Sequence, residues 1–468
     1  MRALIVLLLV VIALLVTVAE PLSPKVELVT PVTAVGAATP IKVIATDRGT
    51  GLATLDVRIA SPGVPEPIVV THEEYPKTSW YGSGVHTMEL APVLDAVKQH
   101  IPEGPATLEI WASDHSWLGL LHRSPLVSQQ ITVDTTPPTL EVLSKQHVAR
   151  LGGSECLIYK VGADAVSSGV QVGELFFEGT DGLFTDPALR AALFALPESM
   201  PNATVAAVAT DAAGNRRAAS FDLVVRPRSF ADKTLEIDDG FLKRKVPDLL
   251  RENNLPVPDD LVQGYLSVNR DLRKSTEVRL RDATRRSDPV PRWQGGLLRM
   301  PNAAPLSGFA DRRTYTHNGT VIDHQTHLGF DLASLKLAPV PAAAAGRVAF
   351  VGPLGIYGTT VVLDHGLGLF TLYGHLSTTT VDPNAMVARG DTIGKTGETG
   401  LAGGDHLHFS VMIHGTHVDP VEWWDSHWIH DHVDARLAEF PRAPVPAPPA
   451  PQNPNPNPPA QAAADKPA

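Results

Sequence analysis

Two short stretches decide the reading of this chain: HLHFSVMI, His406–Ile413, and HLGFDL, His327–Leu332. In the first, Leu407, Phe409, Val411 and Ile413 alternate with His406, His408, Ser410 and Met412. A two-residue period predicts a strand with one apolar face, and it sets two imidazoles side by side on the other face. In the second, Leu328, Phe330 and Leu332 share one face of an expected strand, and His327, Gly329 and Asp331 share the other. Gly329 is expected to leave room between the two polar side chains for an ion or a substrate. Two imidazoles and one carboxylate are a donor set that suits a catalytic zinc with an open fourth position.

Spacing alone does not single these stretches out. His-x-x-x-Asp recurs at His427–Asp431 and His430–Asp434, and His-x-His recurs at His430–His432. Among 468 residues with 18 histidines, chance supplies about one of each pattern. The flanks separate the two regions. Ile429, Val433, Leu437 and Phe440 repeat with the period of an amphipathic helix. Residues 426–440 therefore read as a solvated C-terminal helix, with a second metal site as the rival reading.

Working outward, 43% hydrophobic and 19% charged residues exclude wholesale disorder and a polytopic membrane protein. Basic residues number 39 and acidic ones 50, for a net charge of -11, which argues against a nucleic-acid partner. A single cysteine, Cys156, excludes an intramolecular disulfide. Ala3–Ala19 is a run of 17 uncharged residues behind Arg2. It reads as a membrane anchor, or as a signal peptide cleaved near Ala19, within a leader of residues 1–20. Either form puts the rest of the chain outside the cytoplasm, on the periplasmic side of a cell envelope.

The expected fold is mainly β. Residues 25–135 and 136–228 are short apolar runs broken by Gly, Pro, Asp and Ser. Ala106–Asp114 (ATLEIWASD) aligns without gaps to Ala203–Asp211 (ATVAAVATD), an offset of 97 residues. With the junction DTTPP (Asp134–Pro138) and the turn DAAGN (Asp211–Asn215), this resembles two bacterial immunoglobulin-like sandwich modules, each about 100 residues. They are expected to act as spacers, or to meet an envelope protein partner. Residues 229–295 carry 13 Lys or Arg and read as a helical connector, with Asp259 or Asp260 capping a helix that bears Leu261, Tyr265, Val268 and Leu272. Their charges read as a solvated face, and giving reach to the domain that follows is the expected role, with folding back over that domain as the alternative. Residues 296–425 form the Gly-rich, histidine-rich β domain. Residues 441–468, with NPNPNPP, read as a disordered Pro-rich tail.

Thr359–Asp364 and Leu369–His375 read as a hairpin that completes this domain. The ordered series HLGFD (His327–Asp331), LYGHL (Leu372–Leu376), GDTIGKTGETG (Gly390–Gly400), HLHF (His406–Phe409) and VDPVEWW (Val418–Trp424) resembles the lysostaphin-type, LytM-like zinc endopeptidases of bacterial cell walls. The resemblance implies one zinc per chain, bound by His327, Asp331 and His408, with His375 and His406 as catalytic histidines that do not bind the metal. It further implies an antiparallel β peptidase domain, stem peptides of peptidoglycan as substrate, and direct D-alanyl–diaminopimelate cross-links ahead of polyglycine. A catalytically inactive scaffold that activates another wall hydrolase is the alternative. No HExxH is present, so the two extra histidines would take the acid–base role. The lead-in FADRR (Phe309–Arg313) also resembles the family, except that many relatives have Gly where this chain has Ala310, which puts the local turn in doubt. His317, His324, His365, His414 and His417 read as turn or surface residues.

Overall fold

The computed structural model describes residues 23–79, 82–116 and 124–444. The expected leader (residues 1–20) and the Pro-rich tail beyond residue 444 lie outside the described residues. No helix among the described residues is long and apolar enough to cross a membrane. The fold is mainly β, as the short alternating runs predict. The chain divides into two compact units, Met1–Leu140 with Val161–Ser168 and Val208–Ala218, and Glu141–Lys160 with Gly169–Ala207 and Ala219–Ala468. The interval 136–228 contributes to both.

In the first unit, Lys25–Leu28, Val43–Thr46 and Thr87–Leu90 form one sheet. Ala34–Val35, Val127–Val133, Gly104–Asp114, Leu52–Ala60 and Ile68–Glu74 form another, in that order. Along Gly104–Asp114 every second residue from Ala106 to Asp114 is buried, and Val43, Leu55, Val57, Leu108 and Ile110 share one core. Burial of side chains of this size contributes about 1.5–3 kcal/mol each.

The second unit holds the C-terminal β domain. Its elements are β1 (Asp232–Glu236), α1 (Asp239–Glu252), α2 (Leu261–Ser267), α3 (Arg273–Ala283), β2 (Ala304–Ser307), β3 (Asp311–His317), β4 (Thr320–His327), β5 (Phe330–Ala333), β6 (Gly346–Pro353), β7 (Thr359–Asp364), β8 (Leu369–Gly374), β9 (Met386–Val387), β10 (Leu407–Ile413) and β11 (Thr416–Val418). The central sheet runs β2-β5-β10-β8-β7-β6-β9, with β11 paired to β10. The expected hairpin is β7–β8, paired Val361↔Tyr373 through Asp364↔Phe370. A second sheet, β1-β3-β4, carries the hairpin that leads to His327.

The segment read as a connector is part of this domain. Asp260 is the residue that caps α2, accepting from the Val262 amide at 2.8 Å. A π-helical turn, Val268–Leu272, joins α2 to α3. Val246, Leu250, Tyr265, Val268 and Leu280 share a core with Leu354 and with Val362, Phe370, Leu372 and Met412 of the central sheet. β1 pairs in parallel with β3, from Asp232↔Arg312 to Glu236↔Thr316. Buried Asp364 accepts from Ser287 Oγ, the Asp288 amide and Arg347 Nη2 at 2.7–2.9 Å, which pins the segment's end to β7. Most of its basic residues are exposed, as expected of a solvated face, while Lys233 meets Asp311 at 2.7 Å and Arg270 meets Asp323 at 2.9 Å. Apolar faces of this size fold onto the sheet because leaving them in water costs more than the hinge entropy retained by a free spacer.

The C-terminal helix forms over 426–438, with Ile429, Val433 and Leu437 buried as the period predicts. It is docked rather than free in solvent. His432 and Arg436 meet the fully buried Glu155 at 3.0 and 3.4 Å, and Trp423 Nε1 donates to Ser154 Oγ at 3.0 Å.

Candidate metal centre and active-site cleft

His327 ends β4 and Asp331 sits on β5, so the stretch read as one strand is two. The break falls at Leu328–Gly329. A Cβ on Gly329 would lie 2.4 Å from His408 Nε2 and 2.7 Å from Ser410 Oγ. Gly329 thus clears space for the His408 ring, not for an ion or a substrate. The alternating strand at 407–413 forms, but both of its faces are buried, because β10 lies at the centre of the sheet. β5 and β10 pair so that Asp331 stands directly opposite His408.

Hydrogen bonds fix the protons of this trio. His327 Nδ1–H donates to the Gly308 carbonyl at 2.9 Å, so its Nε2 carries a lone pair. Ser410 Oγ donates its one proton to the Leu328 carbonyl at 2.9 Å. It therefore accepts from His408 Nε2–H at 3.0 Å, and His408 Nδ1 is the bare nitrogen. His327 Nε2, His408 Nδ1 and Asp331 Oδ1 then stand 3.0–3.1 Å from one another. Three acceptors at that distance with no proton among them repel unless a cation lies between them. Among the described residues, these three form the one cluster of His, Cys, Asp or Glu arranged to hold an ion; the repeats of the pattern at 427–434 do not. Their chemistry, two neutral imidazoles and a carboxylate, fits zinc. Asp331 Oδ2 accepts from Arg313 Nη2 at 2.9 Å, which orients the carboxylate.

The site's fields follow from burial and from this crowding. Burial opposes ionisation of Asp331, but His327, His406 and His408 outweigh it and hold the carboxyl well below its usual range. Burial pushes His408 down to about 4. His375 is pushed well below its ordinary value by burial and then by His406 and His408. Burial pulls His406 down as well, but its contact with Asp331 prevails and raises it.

His375 and His406 stand beside the trio, their rings 4.8 Å apart and the His375 ring 5.8 Å from that of His408. His375 has φ 61°, a left-handed backbone that costs a non-glycine residue of order 1–3 kcal/mol. Its amide donates to the Tyr357 carbonyl at 2.7 Å, and its Nδ1–H donates to the Thr399 carbonyl at 2.8 Å. His406 Nδ1–H donates to the Gly404 carbonyl at 2.8 Å. Each ring thereby turns its Nε2 towards the trio, that of His406 lying 3.5 Å from Asp331 Oδ1.

Residues 325–420, which include all five of these side chains, match Peptidase family M23. The chain carries a peptidase family M23 domain. Its relatives include the DD-carboxypeptidase/endopeptidase Mpg of Neisseria meningitidis serogroup B, 41% identical over 95 residues, or 20% of this chain and 22% of that one. The peptidoglycan DD-endopeptidase ShyB of Vibrio cholerae is 34% identical over 116 residues, 25% of this chain and 26% of that one. The chain thus spans about a quarter of the length of the curated relatives it matches. Among solved structures, a zinc containing peptidase from Vibrio cholerae is 30% identical, with a TM-score of 0.25, over 28% of this chain and 39% of that one. The catalytic domain of lysostaphin from Staphylococcus simulans is 27% identical, with a TM-score of 0.23, over 26% and 92%.

The M23 domain is framed by residues outside that match. A cleft of about 280 Å³ opens over His327, Asp331, His375, His406 and His408, and Ile237, Phe241, Tyr265 and Arg273 of the preceding segment line it too. From α3, Glu277 accepts from Tyr357 Oη at 3.0 Å and meets His417 Nε2 at 3.3 Å. The Tyr357 ring lies 5.0 Å from that of His408. No sequence signal marked Glu277, Tyr357 or Arg273; Arg313 lay within the FADRR lead-in.

Two histidines read as surface or turn residues, His365 and His417, are in fact interior. His365 is fully buried, between the Ala345 carbonyl at 2.8 Å and Thr371 Oγ1 at 2.7 Å, and burial pushes it down to about 4. His417 is buried on Glu277. His414 stands half-buried in the turn between β10 and β11, as expected, with its ring over Gly368, where a Cβ would lie 2.2 Å from its Nε2, and burial pushes it to about 4. His324 is exposed and His317 half-buried. Ala310 makes its turn at φ 60°, its amide bonded to the His327 carbonyl at 2.8 Å.

Proposed function

We propose that the protein is a zinc-dependent endopeptidase that hydrolyses the peptide cross-links of bacterial peptidoglycan. The observation that carries this reading is the trio of converging acceptors with two further histidines at its edge. His327, Asp331 and His408 would hold the ion. When bound there, zinc lowers the pKa of a water towards about 7 and polarises a carbonyl oxygen. His375 and His406 each present Nε2 to the cleft, where they hold and pass protons as the peptide carbonyl is attacked and the amine departs. The backbone bonds at Nδ1 fix each ring's tautomer and direction. The names of the relatives support a D,D cross-link between stem peptides as the bond cut.

The apolar run Ala3–Ala19 supports a site of action on the periplasmic side of the envelope, anchored by that run or released after cleavage near Ala19. A scaffold that only activates another hydrolase would not need five chemically competent side chains in one cleft. The deciding experiment is digestion of purified sacculi by the full chain, with and without chelator, followed by mass analysis of the muropeptides. Chelator-sensitive loss of cross-linked dimers is expected. Intact dimers after prolonged digestion with zinc-loaded protein would turn the reading to the scaffold.

A further inference from the structure

The cleft holds a cation whose charge the metal centre does not use. Of its two arginines, Arg313 is committed to Asp331 at 2.9 Å. Arg273, the first residue of α3, has no carboxylate within 4.0 Å among the described residues. The cleft's other acid, Glu236, accepts from the Asn318 amide and from Thr316 Oγ1.

Arg273 is also held in place. Its Nε donates to the Asn269 carbonyl at 3.1 Å and its Nη2 to Asn269 Oδ1 at 2.7 Å. Asn269 is fully buried, and its own Nδ2 donates to buried Asp323 at 2.8 Å, which fixes the orientation of the amide. Arg270 closes the network by donating to the other Asp323 oxygen at 2.9 Å. All three residues of α2–α3 in this network lie on or directly after the π-helical turn Val268–Leu272, a distortion that recurs at functional sites. Two of the five guanidinium N–H groups are thus engaged. The remaining three include a parallel pair suited to a planar, two-oxygen anion.

We propose that Arg273 is a substrate-binding residue that takes a carboxylate of the stem peptide, in a subsite supplied by the helical segment outside the M23 match. The inference rests on the peptidoglycan reading, since stem peptides carry such carboxylates at the chain terminus and on each of their two diacid residues. A pre-oriented guanidinium in a half-closed cleft gives a bidentate, charge-assisted contact at low ordering cost. A lysine at the same place would keep the charge and lose the fork.

The test is equilibrium binding of a disaccharide tetrapeptide, a product that is not cleaved, to the zinc-loaded full chain. The free acid is compared with forms amidated singly at the terminal carboxylate or at either diacid residue, and with the form amidated at all three. Arg273→Gln should weaken binding of the free acid about tenfold to a hundredfold and leave the fully amidated form unchanged, with Arg273→Lys in between. Zinc content and the thermal transition should stay at wild-type values. The single amidation that abolishes the Arg273→Gln effect identifies the carboxylate. Equal weakening of acid and amide, or no preference of the wild type for the acid, overturns the proposal. Wild-type protein that leaves sacculi intact yet prefers the acid would remove hydrolysis and keep this subsite.

Discussion

The chain contains the same two histidine patterns twice, at 327–408 and at 427–434, and the fold treats them in opposite ways. In the first region two strands meet in register, so residues 77 apart in sequence, Asp331 and His408, face each other in the interior at 3.0 Å. In the second a helix spreads the same residue types around its axis. His430 and Asp431 pair in solvent at 2.9 Å, their side chains 70% and 73% exposed. His432 stacks on Trp428 and bonds Glu155. Metal chemistry needs lone pairs that converge without protons, and strand register supplies that here while helical spacing does not.

The sharpest way to break this contrast is to delete one histidine from each region. His408→Ala should lose tightly bound zinc together with sacculus digestion, whereas His430→Ala should keep both within about twofold, as exposed sites usually do. Metal analysis of purified full-length protein reads the first effect directly. Full zinc occupancy in His408→Ala would remove that residue from the ligand set.

Next in size is the division within the first region. His375→Ala and His406→Ala should hold zinc and lose at least about a hundredfold in turnover. A variant of either that digests muropeptide dimers at the wild-type rate has no part in proton transfer.

The second region should reveal itself in stability alone. Burial opposes the charge on Glu155, but His147, His432 and Arg436 outweigh it and depress its pKa below the ordinary 4.5. A depressed carboxyl stabilises the fold above its unfolded pKa and loses that contribution as acid protonates it. Arg436→Met should cost about 2 kcal/mol near neutrality, less than the ~3–5 kcal/mol of a wholly orphaned buried charge because His432 remains. The gap should narrow below about pH 4, with zinc content unchanged. Chemical unfolding at both pH values measures it; an equal gap at both would remove Glu155 from the account.

The smallest effect sits at the turn beside His327. Ala310 is fully buried at φ 60°, where glycine carries no Cβ penalty. Ala310→Gly should therefore stabilise the domain by about 1 kcal/mol, seen as a rise of the thermal midpoint with unaltered turnover. A lowered midpoint would mean that the Ala310 methyl packs to more advantage than its backbone costs.

How much of this was legible follows the range of the interactions. Alternation in His406–Ile413 and the helical period at 429–440 are local, and both gave the right element. The break at Gly329 was not readable, because its cause is the His408 ring arriving from 79 residues downstream. The parallel pairing of Asp232–Glu236 with Arg312–Thr316 and the shared core of the helices left no mark beyond an apolar helix face, which a solvated connector and a docked one share. The same limit hid His365, whose partners Ala345 and Thr371 come from flanking strands. Arg273 looked like one of 13 basic residues in a charged segment; only the π-turn and Asn269 set it apart.

The core shared by α1–α3 and the peptidase sheet changes what counts as one inheritable piece of this molecule. Residues 325–420 match the family, but their apolar core continues into the helices that precede that match. A fragment cut to that match would lose β1 and β3, strip the cover from Val362, Phe370 and Leu372, and take Glu277 from Tyr357. Newly bared apolar sheet of this kind drives aggregation rather than activity. During synthesis the helices leave the ribosome first, and their buried face is covered only by strands that follow later, Val246 waiting for Val362, 116 residues on. Anyone transplanting this active site must move the helices with it.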